Sequence, residues 1–348
     1  MNAFKINAVK VWIIFTLSLF LLLTYGVGFK LHRGESIFSL REIPVKTQAP
    51  IGKTPAMGDF FIILDETTGE NLKVPAFQYV CGAVAAEMPP SFHKEALKAQ
   101  ALSAYTRALY LKKLWEEEEN PPMGEAYFSQ NPQKNQGFLY EENAKKLYGD
   151  KFPIYWSKIE EAAAYAMERE ITFDGEPILA AYHAMSAGAT ESCDNVWQQS
   201  LPYLTTVESE GDIFAESYRE TKNIPFDLAR RALITAFPKG NFPVGGEQSY
   251  FKINKRSQGG YITALTAGGA LTDGLQIRKL FDLRSSAFEV KISDSAFIFT
   301  TYGYGHGVGL SQNGADFMAR QGKTAEEILT HYYKGATVKL KSKFSYNE

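Results

Sequence analysis

The chain has 348 residues and a formal net charge of -2, with 45% hydrophobic and 22% charged residues. This length allows one or two domains with a large core, and the composition is typical of a globular protein and excludes a disordered one. The small net charge argues against nucleic acid as a partner, because nucleic-acid binding requires a basic surface.

The N-terminal part of the chain contains one long apolar segment. Residues 11–29, VWIIFTLSLFLLLTYGVGF, carry no charged side chain and match the length of a helix that spans a bilayer. A cleaved signal peptide is the alternative, but no A-x-A-like cleavage site follows the segment. We therefore expect an uncleaved transmembrane anchor over residues 1–30 and an extended tether over residues 31–57, with the folded domain on one side of the membrane.

The folded part begins with a predicted β-hairpin at residues 60–77, where two apolar runs flank a Thr-Thr-Gly turn. The next stretch, AFQYVCGAVAA, is apolar throughout and indicates a buried strand. A helix is then predicted from about residue 92 to 119, with Ser91 as its N-cap and a frayed acidic end. Ala96, Gln100, Ala104 and Ala108 recur every four residues in it, so one face of the helix is small and is expected to approach other backbone closely. Between the strand and the helix lies one carboxylate, Glu87, just before two prolines.

The rest of the domain mixes strands and helices. The elements predicted after an irregular region at 120–155 are a helix at 158–169, a hairpin turning at Asp174-Gly175, a helix at 226–237, two strands around residues 257–260, a helix at 273–281, two more strands and a helical C-terminal segment. Because strands and helices do not alternate regularly, we expect an α+β fold. Its catalytic core would carry a smaller inserted or flanking subdomain within residues 58–340, followed by a tail at 341–348.

Glu87 is the first candidate for chemistry. A carboxyl group partly buried among apolar residues has a raised pKa, which suits a general acid at neutral pH. The alternative is a carboxylate that stabilises the N-terminus of the following helix.

Two further segments combine small residues with polar side chains. YHAMSAGATES, residues 182–192, presents His183 and Ser186, either to a ligand or, for the histidine, to the core. Ser186 lacks the G-x-S-x-G context of a nucleophilic serine. YGYGHGVGLSQNGA, residues 302–315, places His306 among alternate glycines and ends at Ser311, a predicted helix cap. It fits neither a dinucleotide nor a P-loop motif, and its extended backbone is either a floor for a flat polar ligand or a tight strand crossing.

The two cysteines, Cys81 and Cys193, lie far apart in the sequence and belong to no spacing motif. This pattern favours buried or free thiols over a disulfide or a zinc site. We assign no metal and no cofactor.

Together these segments resemble the stage II sporulation protein D family, which are membrane-anchored peptidoglycan lytic transglycosylases of endospore-forming bacteria. The motifs that carry the resemblance are Glu87-Met88-Pro89 followed by Glu95 through Ala101, then His183, Ser186, Thr190 and Glu191, then Tyr203 and Asp212, then Ile277-Arg278, then Leu283-Arg284-Ser285, and finally Gly305 through Ala315. The resemblance covers roughly residues 58–340, and the motifs occur in the family's order.

The resemblance implies that Glu87 is the catalytic acid/base for the bond between N-acetylmuramic acid and N-acetylglucosamine. One carboxylate suffices because the C6 hydroxyl of the muramic acid is the nucleophile, whereas most glycosidases use two carboxylates. By the same resemblance, the glycan-binding candidates are His183, Ser186, Tyr203, Asp212, His306, Ser311 and Gln312. The implied partners are peptidoglycan strands and the stage II sporulation proteins P, an amidase, and M, a membrane protein, at the sporulation septum and engulfing membrane.

The chain departs from the family at two places. The family helix reads A-R-T-Y where this chain has Ala104-Tyr105-Thr106-Arg107, an exchange that moves the arginine to another helix face. Some relatives hold zinc with cysteine ligands near the histidine, but here only His183 and Cys193 are available. Two alternatives remain open: a muramidase with Asp212 or Glu191 as second carboxylate, and a non-catalytic glycan-binding module that activates a wall amidase.

Overall fold

A computed structural model describes residues 60–131 and 136–341 of the chain. The predicted anchor (1–30), the tether (31–57) and nearly all of the tail (341–348) lie outside these residues. Within the described part, no helix combines the length and apolarity needed to cross a membrane.

Helices and strands are mixed along the described part of the chain, which confirms the α+β class. Its α-helices are α1 (Ala76–Glu87), α2 (Lys94–Glu116), α3 (Glu141–Tyr148), α4 (Phe152–Met167), α5 (Cys193–Trp197), α6 (Phe226–Ala236), α7 (Gly274–Phe281), α8 (Gln312–Arg320) and α9 (Ala325–Tyr332). Its strands are β1 (Phe60–Asp65), β2 (Glu70–Pro75), β3 (Phe128–Ser129), β4 (Arg169–Phe173), β5 (Glu176–Pro177), β6 (Tyr182–His183), β7 (Arg219–Pro225), β8 (Phe251–Arg256), β9 (Ile262–Ala267), β10 (Ala270–Thr272), β11 (Phe288–Ile292), β12 (Ala296–Tyr302), β13 (Leu310–Ser311) and β14 (Thr337–Leu340).

The strands form small sheets rather than one large one. The predicted first hairpin is confirmed, since β1 pairs antiparallel with β2, and β3 joins β1 in parallel. The second predicted hairpin is also confirmed, with β4 against β5 and β14 on its other side. Asp174 and Gly175 both have positive φ angles, the backbone that a two-residue hairpin turn requires.

The predicted strand before Glu87 is wrong, because these residues form helix α1. A continuous apolar run does not distinguish a buried strand from a buried helix, and this helix is buried on nearly every side. Gly82 allows helix α1 to pack closely against Phe138 and Leu139. A Cβ atom at this position would lie 2.4 Å from the ring of Phe138 and 2.8 Å from the Leu139 carbonyl oxygen. Glu87 is therefore the last residue of a helix rather than the end of a strand.

Helix α2 packs with α1, α4 and α8 in a first helical core. Its predicted small face is confirmed, since Ala96, Gln100, Ala104 and Ala108 have no exposed surface. These residues allow close packing against α1, α4 and α8. The predicted N-cap at Ser91 is wrong: the helix begins at Lys94, and the Nδ1 atom of His93 accepts a hydrogen bond from the Glu95 N–H group. The end at Glu116 agrees with the predicted fraying of the acidic run.

The region at 120–155, predicted to be irregular, contains helix α3 and the beginning of α4. Helix α4 starts at Phe152, six residues before the predicted start, with a proline in its first turn. Proline is tolerated there because its missing N–H group would have no partner in the helix.

A second hydrophobic core is built by residues between β7 and β12. Its buried members are Ile224, Ala229, Leu233, Phe242, Tyr250, Ile262, Leu265, Ala267, Ile277, Phe281, Leu283, Phe288, Phe297 and Phe299. Strand β12 lies between β11 and β7, and β9 lies between β8 and β10. The predicted helices at 226–237 and 273–281 are confirmed as α6 and α7, with Asp273 capping α7.

In the sequence, this second core lies between two short strands, β6 and β13, which pair with each other. Strand β6 pairs in parallel with β13, so Tyr182 lies opposite Leu310 and His183 opposite Ser311. Because of this pairing, the glycine-rich segment at 303–309 lies beside His183. The two candidate segments of the sequence, residues 182–192 and 302–315, are therefore neighbours in the structure.

Candidate active site

Glu87 ends helix α1 with its side chain half-buried. Its Oε1 atom accepts a hydrogen bond of 2.7 Å from the Gly137 N–H group. Burial raises the pKa of Glu87, while the Gly137 hydrogen bond and the charge of Arg107 act in the opposite direction. A carboxyl group with a raised pKa retains its proton at higher pH, which is the property of a general acid. The alternative of a carboxylate at a helix N-terminus is wrong, because Glu87 lies at a C-terminus.

Gly137 is in the site because of its lack of a side chain. A Cβ atom there would lie 2.9 Å from Oε1 of Glu87 and 3.1 Å from the Cβ atom of Ala86. A side chain at this position would therefore push the Glu87 carboxyl group away from its present place. The sequence offered no signal for this residue, because it lies in a region without a recognisable motif.

Arg107 belongs to the site despite the exchanged order of Tyr105 and Arg107. Its charge acts on Glu87, on the hydroxyl groups of Tyr79 and Tyr182, and on the ring of His306. Tyr105, in contrast, is buried against Phe61. The arginine at this position of helix α2 therefore faces Glu87, and the aromatic residue faces the core.

His306 is held by two backbone groups. Its Nδ1 atom accepts a hydrogen bond of 3.0 Å from the Val308 N–H group, and its ring also hydrogen-bonds to the backbone of Tyr182. Burial lowers its pKa well below the ordinary value, with His183, Arg278 and Arg107 adding to the shift. The ring is therefore neutral and held in one orientation by the backbone.

His183 is also neutral and is more deeply buried, with 4% of its surface exposed. Burial lowers its pKa to about 4. Its Nδ1 atom lies 3.1 Å from the Val308 carbonyl oxygen, so the neutral ring carries its proton on Nδ1. The Nε2 atom is buried and has no hydrogen-bond partner. The two histidine rings lie 5.7 Å apart, and the ring of Trp197 lies 5.3 Å from His306.

Asp212 is the centre of a buried hydrogen-bond network. Its Oδ2 atom accepts hydrogen bonds from Ser186 N–H (2.9 Å), Ser186 Oγ (2.6 Å) and Ser209 Oγ (2.9 Å), and its Oδ1 atom accepts one from Ser311 Oγ (2.7 Å). Burial raises the pKa of Asp212, and these hydrogen bonds lower it. Ser311 also caps helix α8, as predicted, by accepting from Gly314 N–H. Asp212, Ser186 and Ser311 all have no exposed surface.

The other predicted residues have partners inside the protein. The Tyr203 hydroxyl accepts a hydrogen bond of 3.1 Å from Leu179 N–H, and its ring packs 5.5 Å from Phe173. Gln312 is 5% exposed and donates through Nε2 to Gln100 Oε1 over 3.3 Å. Glu191 is 1% exposed, and its Oε1 atom accepts from Ser192 N–H (2.7 Å) and Asn195 Nδ2 (2.9 Å).

The glycine-rich segment is not extended as predicted. Gly305 and Gly307 have φ angles of 119° and 83°, which L side chains rarely adopt. A Cβ atom on Gly305 would lie 2.8 Å from the Cβ atom of His183, and one on Gly307 would lie 2.5 Å from the Tyr261 ring. The bare backbone therefore packs against protein atoms. This favours the tight crossing over a floor for a flat ligand.

The described residues contain no group of histidine, cysteine, aspartate and glutamate side chains that could hold a metal ion. Cys81 and Cys193 are free and buried, in agreement with the sequence prediction. The Cys193 thiol donates to the Gln199 carbonyl oxygen over 3.0 Å, so its environment is that of a packed thiol.

The fold and site define an α+β protein with a half-buried glutamic acid of raised pKa, set among arginine, tyrosine and neutral histidine side chains. The family model described as "Stage II sporulation protein" matches residues 65–173. Stage II sporulation protein D of Bacillus subtilis (strain 168) is 32% identical over 265 residues, covering 76% of this chain and 74% of that protein. The same protein of Bacillus amyloliquefaciens matches at the same identity and coverage. The chain therefore belongs to the stage II sporulation protein D family, which confirms the resemblance found in the sequence.

A more distant relative carries a different name. The amidase enhancer of Bacillus subtilis (strain 168) is 23% identical over 305 residues, covering 74% of this chain and 40% of that protein. The family is thus a sporulation family with a relative named for its effect on an amidase.

Proposed function

We propose that this protein is a peptidoglycan lytic transglycosylase that cleaves the bond between N-acetylmuramic acid and N-acetylglucosamine. The observation that carries the proposal is the environment of Glu87, a half-buried carboxyl group with a raised pKa and one fixed oxygen. Such a group can give a proton to a leaving oxygen and afterwards accept one as a carboxylate.

The reaction needs no group beyond this carboxyl group and the substrate. Glu87 donates its proton to the glycosidic oxygen, the bond from C1 of the muramic acid to that oxygen breaks, and its electron pair stays on the oxygen. The C6 hydroxyl of the same sugar attacks C1 and gives its proton to Glu87. The products are an N-acetylglucosamine with a free O4 hydroxyl and a 1,6-anhydromuramic acid, and no water is added.

The positions of the other acids support a single-carboxylate mechanism over a muramidase. A two-carboxylate hydrolase places both groups roughly 5–9.5 Å apart across the sugar. Asp212 has no exposed surface, and four hydrogen bonds occupy both of its oxygens. Glu191 is 1% exposed and bound to Ser192 and Asn195. Neither acid is placed to activate a water molecule at a sugar on the protein surface.

We divide the predicted glycan-binding residues into two groups according to their burial. His306 is partly exposed, and with His183 behind it and Trp197 beside it, it forms the wall of the site that we propose for the sugar. Ser186, Asp212 and Ser311 act from the interior by joining the segment after strand β6 to the start of α8. Tyr203 and Gln312 support the same region through their internal hydrogen bonds.

The decisive experiment compares Glu87→Gln with wild type on purified peptidoglycan. Glutamine keeps the shape and the hydrogen bond from Gly137 but has no acidic proton, so cleavage should fall about a hundred- to ten-thousand-fold. Wild-type products should end in 1,6-anhydromuramic acid, lighter by one water than hydrolysis products. Glu191→Gln is the matched control and should cleave normally. Reducing ends that contain the added water, or an inactive Glu191→Gln, would replace the proposal with a muramidase.

A second candidate function, a non-catalytic activator of an amidase, is favoured by the relative named amidase enhancer. It predicts that Glu87→Gln stimulates an amidase as well as wild type does, and that wild type alone releases no glycan fragments. The same assay on the purified protein therefore separates the two functions.

We further propose the setting implied by the family: an N-terminal anchor, a domain outside the cytoplasm at the sporulation septum and engulfing membrane, and sporulation proteins P and M as partners. The apolar segment at 11–29 supports the anchor. Removal of residues 1–30 should yield a protein that leaves the membrane fraction but still cleaves peptidoglycan. A truncated protein that remains with the membrane would contradict this assignment, and co-purification with P and M tests the partners.

A further inference from the structure

Tyr304 presents an exposed aromatic ring beside the candidate site. Its side chain is 44% exposed, although the glycines on either side of it are packed against protein atoms. An aromatic ring stabilises a fold through the surface that it buries, so the exposed part of this ring contributes little to folding. That surface is available to a ligand.

The backbone around Tyr304 is held on two sides. Its N–H group donates to the Met185 carbonyl oxygen (2.7 Å), and its own carbonyl oxygen accepts from the Met185 N–H group (3.0 Å). The next residue, Gly305, donates its N–H group to the Arg284 carbonyl oxygen (3.0 Å). The side chain of Tyr304 therefore extends from a backbone whose position is fixed.

The side chain of Arg284 fixes the ring itself. Its guanidinium carbon lies 4.4 Å from the centroid of the Tyr304 ring, which is a cation–π contact. The guanidinium group is held in turn, because Nη1 donates to the Ser217 carbonyl oxygen (3.0 Å) and Nε lies 3.6 Å from Oε2 of Glu220. A ring that is already oriented can bind a partner on its exposed surface with little loss of side-chain entropy.

Tyr304 lies next to the wall of the proposed sugar site. It is two residues before His306, so the two Cα atoms are at most about 7 Å apart. The neighbouring segment has the same spacing: Met185 pairs with Tyr304, and the ring of His183 lies 5.7 Å from the ring of His306. The two segments run side by side, and Tyr304 occupies the position that follows the two histidines.

We infer that Tyr304 is a stacking platform for an N-acetylated sugar ring of the glycan strand, in a subsite next to the one that His306 lines. The inference rests on the proposed function, because it concerns a second sugar of the same strand. The C–H groups of a sugar ring carry partial positive charge and the face of an aromatic ring carries partial negative charge, so the two attract each other when stacked. A subsite away from the broken bond binds the substrate and the transition state equally. It therefore favours long strands over short fragments without changing the chemical step.

Binding to purified peptidoglycan tests the platform in a protein that does not cleave it. In the Glu87→Gln background, Tyr304→Leu keeps an apolar side chain but removes the flat ring. Its affinity in co-sedimentation with insoluble peptidoglycan should fall about two- to tenfold. Tyr304→Phe keeps the ring and should bind like its parent. Normal binding by Tyr304→Leu, or equal losses in the two variants, would overturn the inference.

Tyr165→Leu is the matched control, because the same pair of side chains occurs on helix α4. The guanidinium carbon of Arg169 lies 4.1 Å from the centroid of the Tyr165 ring, and Nη1 of Arg169 lies 3.2 Å from Oε2 of Glu168. This variant loses the same kind of cation–π contact, but it should bind peptidoglycan like its parent. A similar loss of binding in Tyr165→Leu would assign the effect of Tyr304→Leu to stability and overturn the inference.

The kinetics of the cleaving protein separate this inference from the proposed function. With Glu87 intact, Tyr304→Leu should raise KM for peptidoglycan about two- to tenfold and leave kcat unchanged, because only uniform binding is lost. A lower kcat with an unchanged KM would place Tyr304 in the chemical step and overturn the platform. Absence of cleavage by wild type would overturn the proposed function, whereas the co-sedimentation result does not depend on cleavage.

Discussion

Replacement of Asp212 by asparagine perturbs the network that joins Ser186, which follows strand β6, to Ser311, the N-cap of helix α8. The wild-type carboxylate accepts three hydrogen bonds on Oδ2 and one on Oδ1. Asparagine has one carbonyl oxygen, which can keep the three donors on the Oδ2 side. Its NH2 group then faces the Ser311 hydroxyl, which must stop donating and turn to accept.

The expected loss of stability depends on what happens to these four hydrogen bonds. One hydrogen bond changes direction, and the remaining three lose the contribution of a charged acceptor. Hydrogen bonds to charged groups contribute about 1.5–3 kcal/mol and neutral ones about 0.5–1.5 kcal/mol. Since burial of the charge offsets part of this difference, we expect a loss of about 1–3 kcal/mol in the free energy of unfolding. For a domain of this size, that corresponds to a melting temperature lower by roughly 2–10 °C.

The assay is thermal unfolding at neutral pH, combined with peptidoglycan cleavage below the transition. Asp273→Asn is the matched control, because Asp273 accepts from Gln276 N–H (2.8 Å) as the N-cap of α7. Asparagine caps a helix as well as aspartate does, so the control should melt like wild type. If Asp212→Asn also melts like wild type, the network does not hold the two elements together and the reasoning is refuted.

Three further predictions concern the Glu87 environment. Gly137→Ala should reduce cleavage without unfolding the protein, because its Cβ atom displaces the Glu87 carboxyl group from 2.9 Å; normal cleavage rates would contradict this. Glu87→Gln should gain stability over wild type as the pH rises above the ordinary glutamate pKa of about 4.3, measured by melting temperature, because folding raises the pKa of Glu87 and the wild type loses stability when that carboxyl group must ionise. Arg107→Gln should move the alkaline limb of the cleavage profile to higher pH, because the arginine lowers the pKa of Glu87, whereas Lys113→Gln on the same helix should leave the limb in place.

The hairpins and one of the two predicted helix caps could be predicted from the sequence because local chemistry determines them. The turn at Asp174-Gly175 and the cap at Ser311 each depend on one or two residues that favour one backbone conformation, whereas the cap predicted at Ser91 lies at His93. The small face of α2 could also be predicted, because alanine at three of four positions spaced four residues apart indicates a helix packed closely on another element.

The environment of Glu87 could be predicted only in part. The apolar residues around Glu87 correctly predicted its partial burial. They did not predict the helix before it, because an apolar run that is buried on all sides lacks the periodicity that distinguishes a helix from a strand. Gly137 reaches the site through long-range packing, 50 residues further along the chain, that no local pattern records. The glycines at 303–309 were correctly singled out, but positive φ angles and contacts with His183 and Tyr261 replaced the extended chain that was expected.

The helix before Glu87 changes the meaning of that residue. At a helix N-terminus the macrodipole would favour the carboxylate and lower its pKa, so the group would be a poor acid near neutral pH. At the C-terminus of α1 the dipole opposes the negative charge, and burial acts in the same direction. Helix α2, which begins seven residues later, then supplies Arg107 as the opposing charge. A carboxyl group that acts first as an acid and then as a base requires opposing influences on its pKa. A pKa far below the working pH would prevent it from donating a proton, and a pKa far above that pH would prevent it from accepting one.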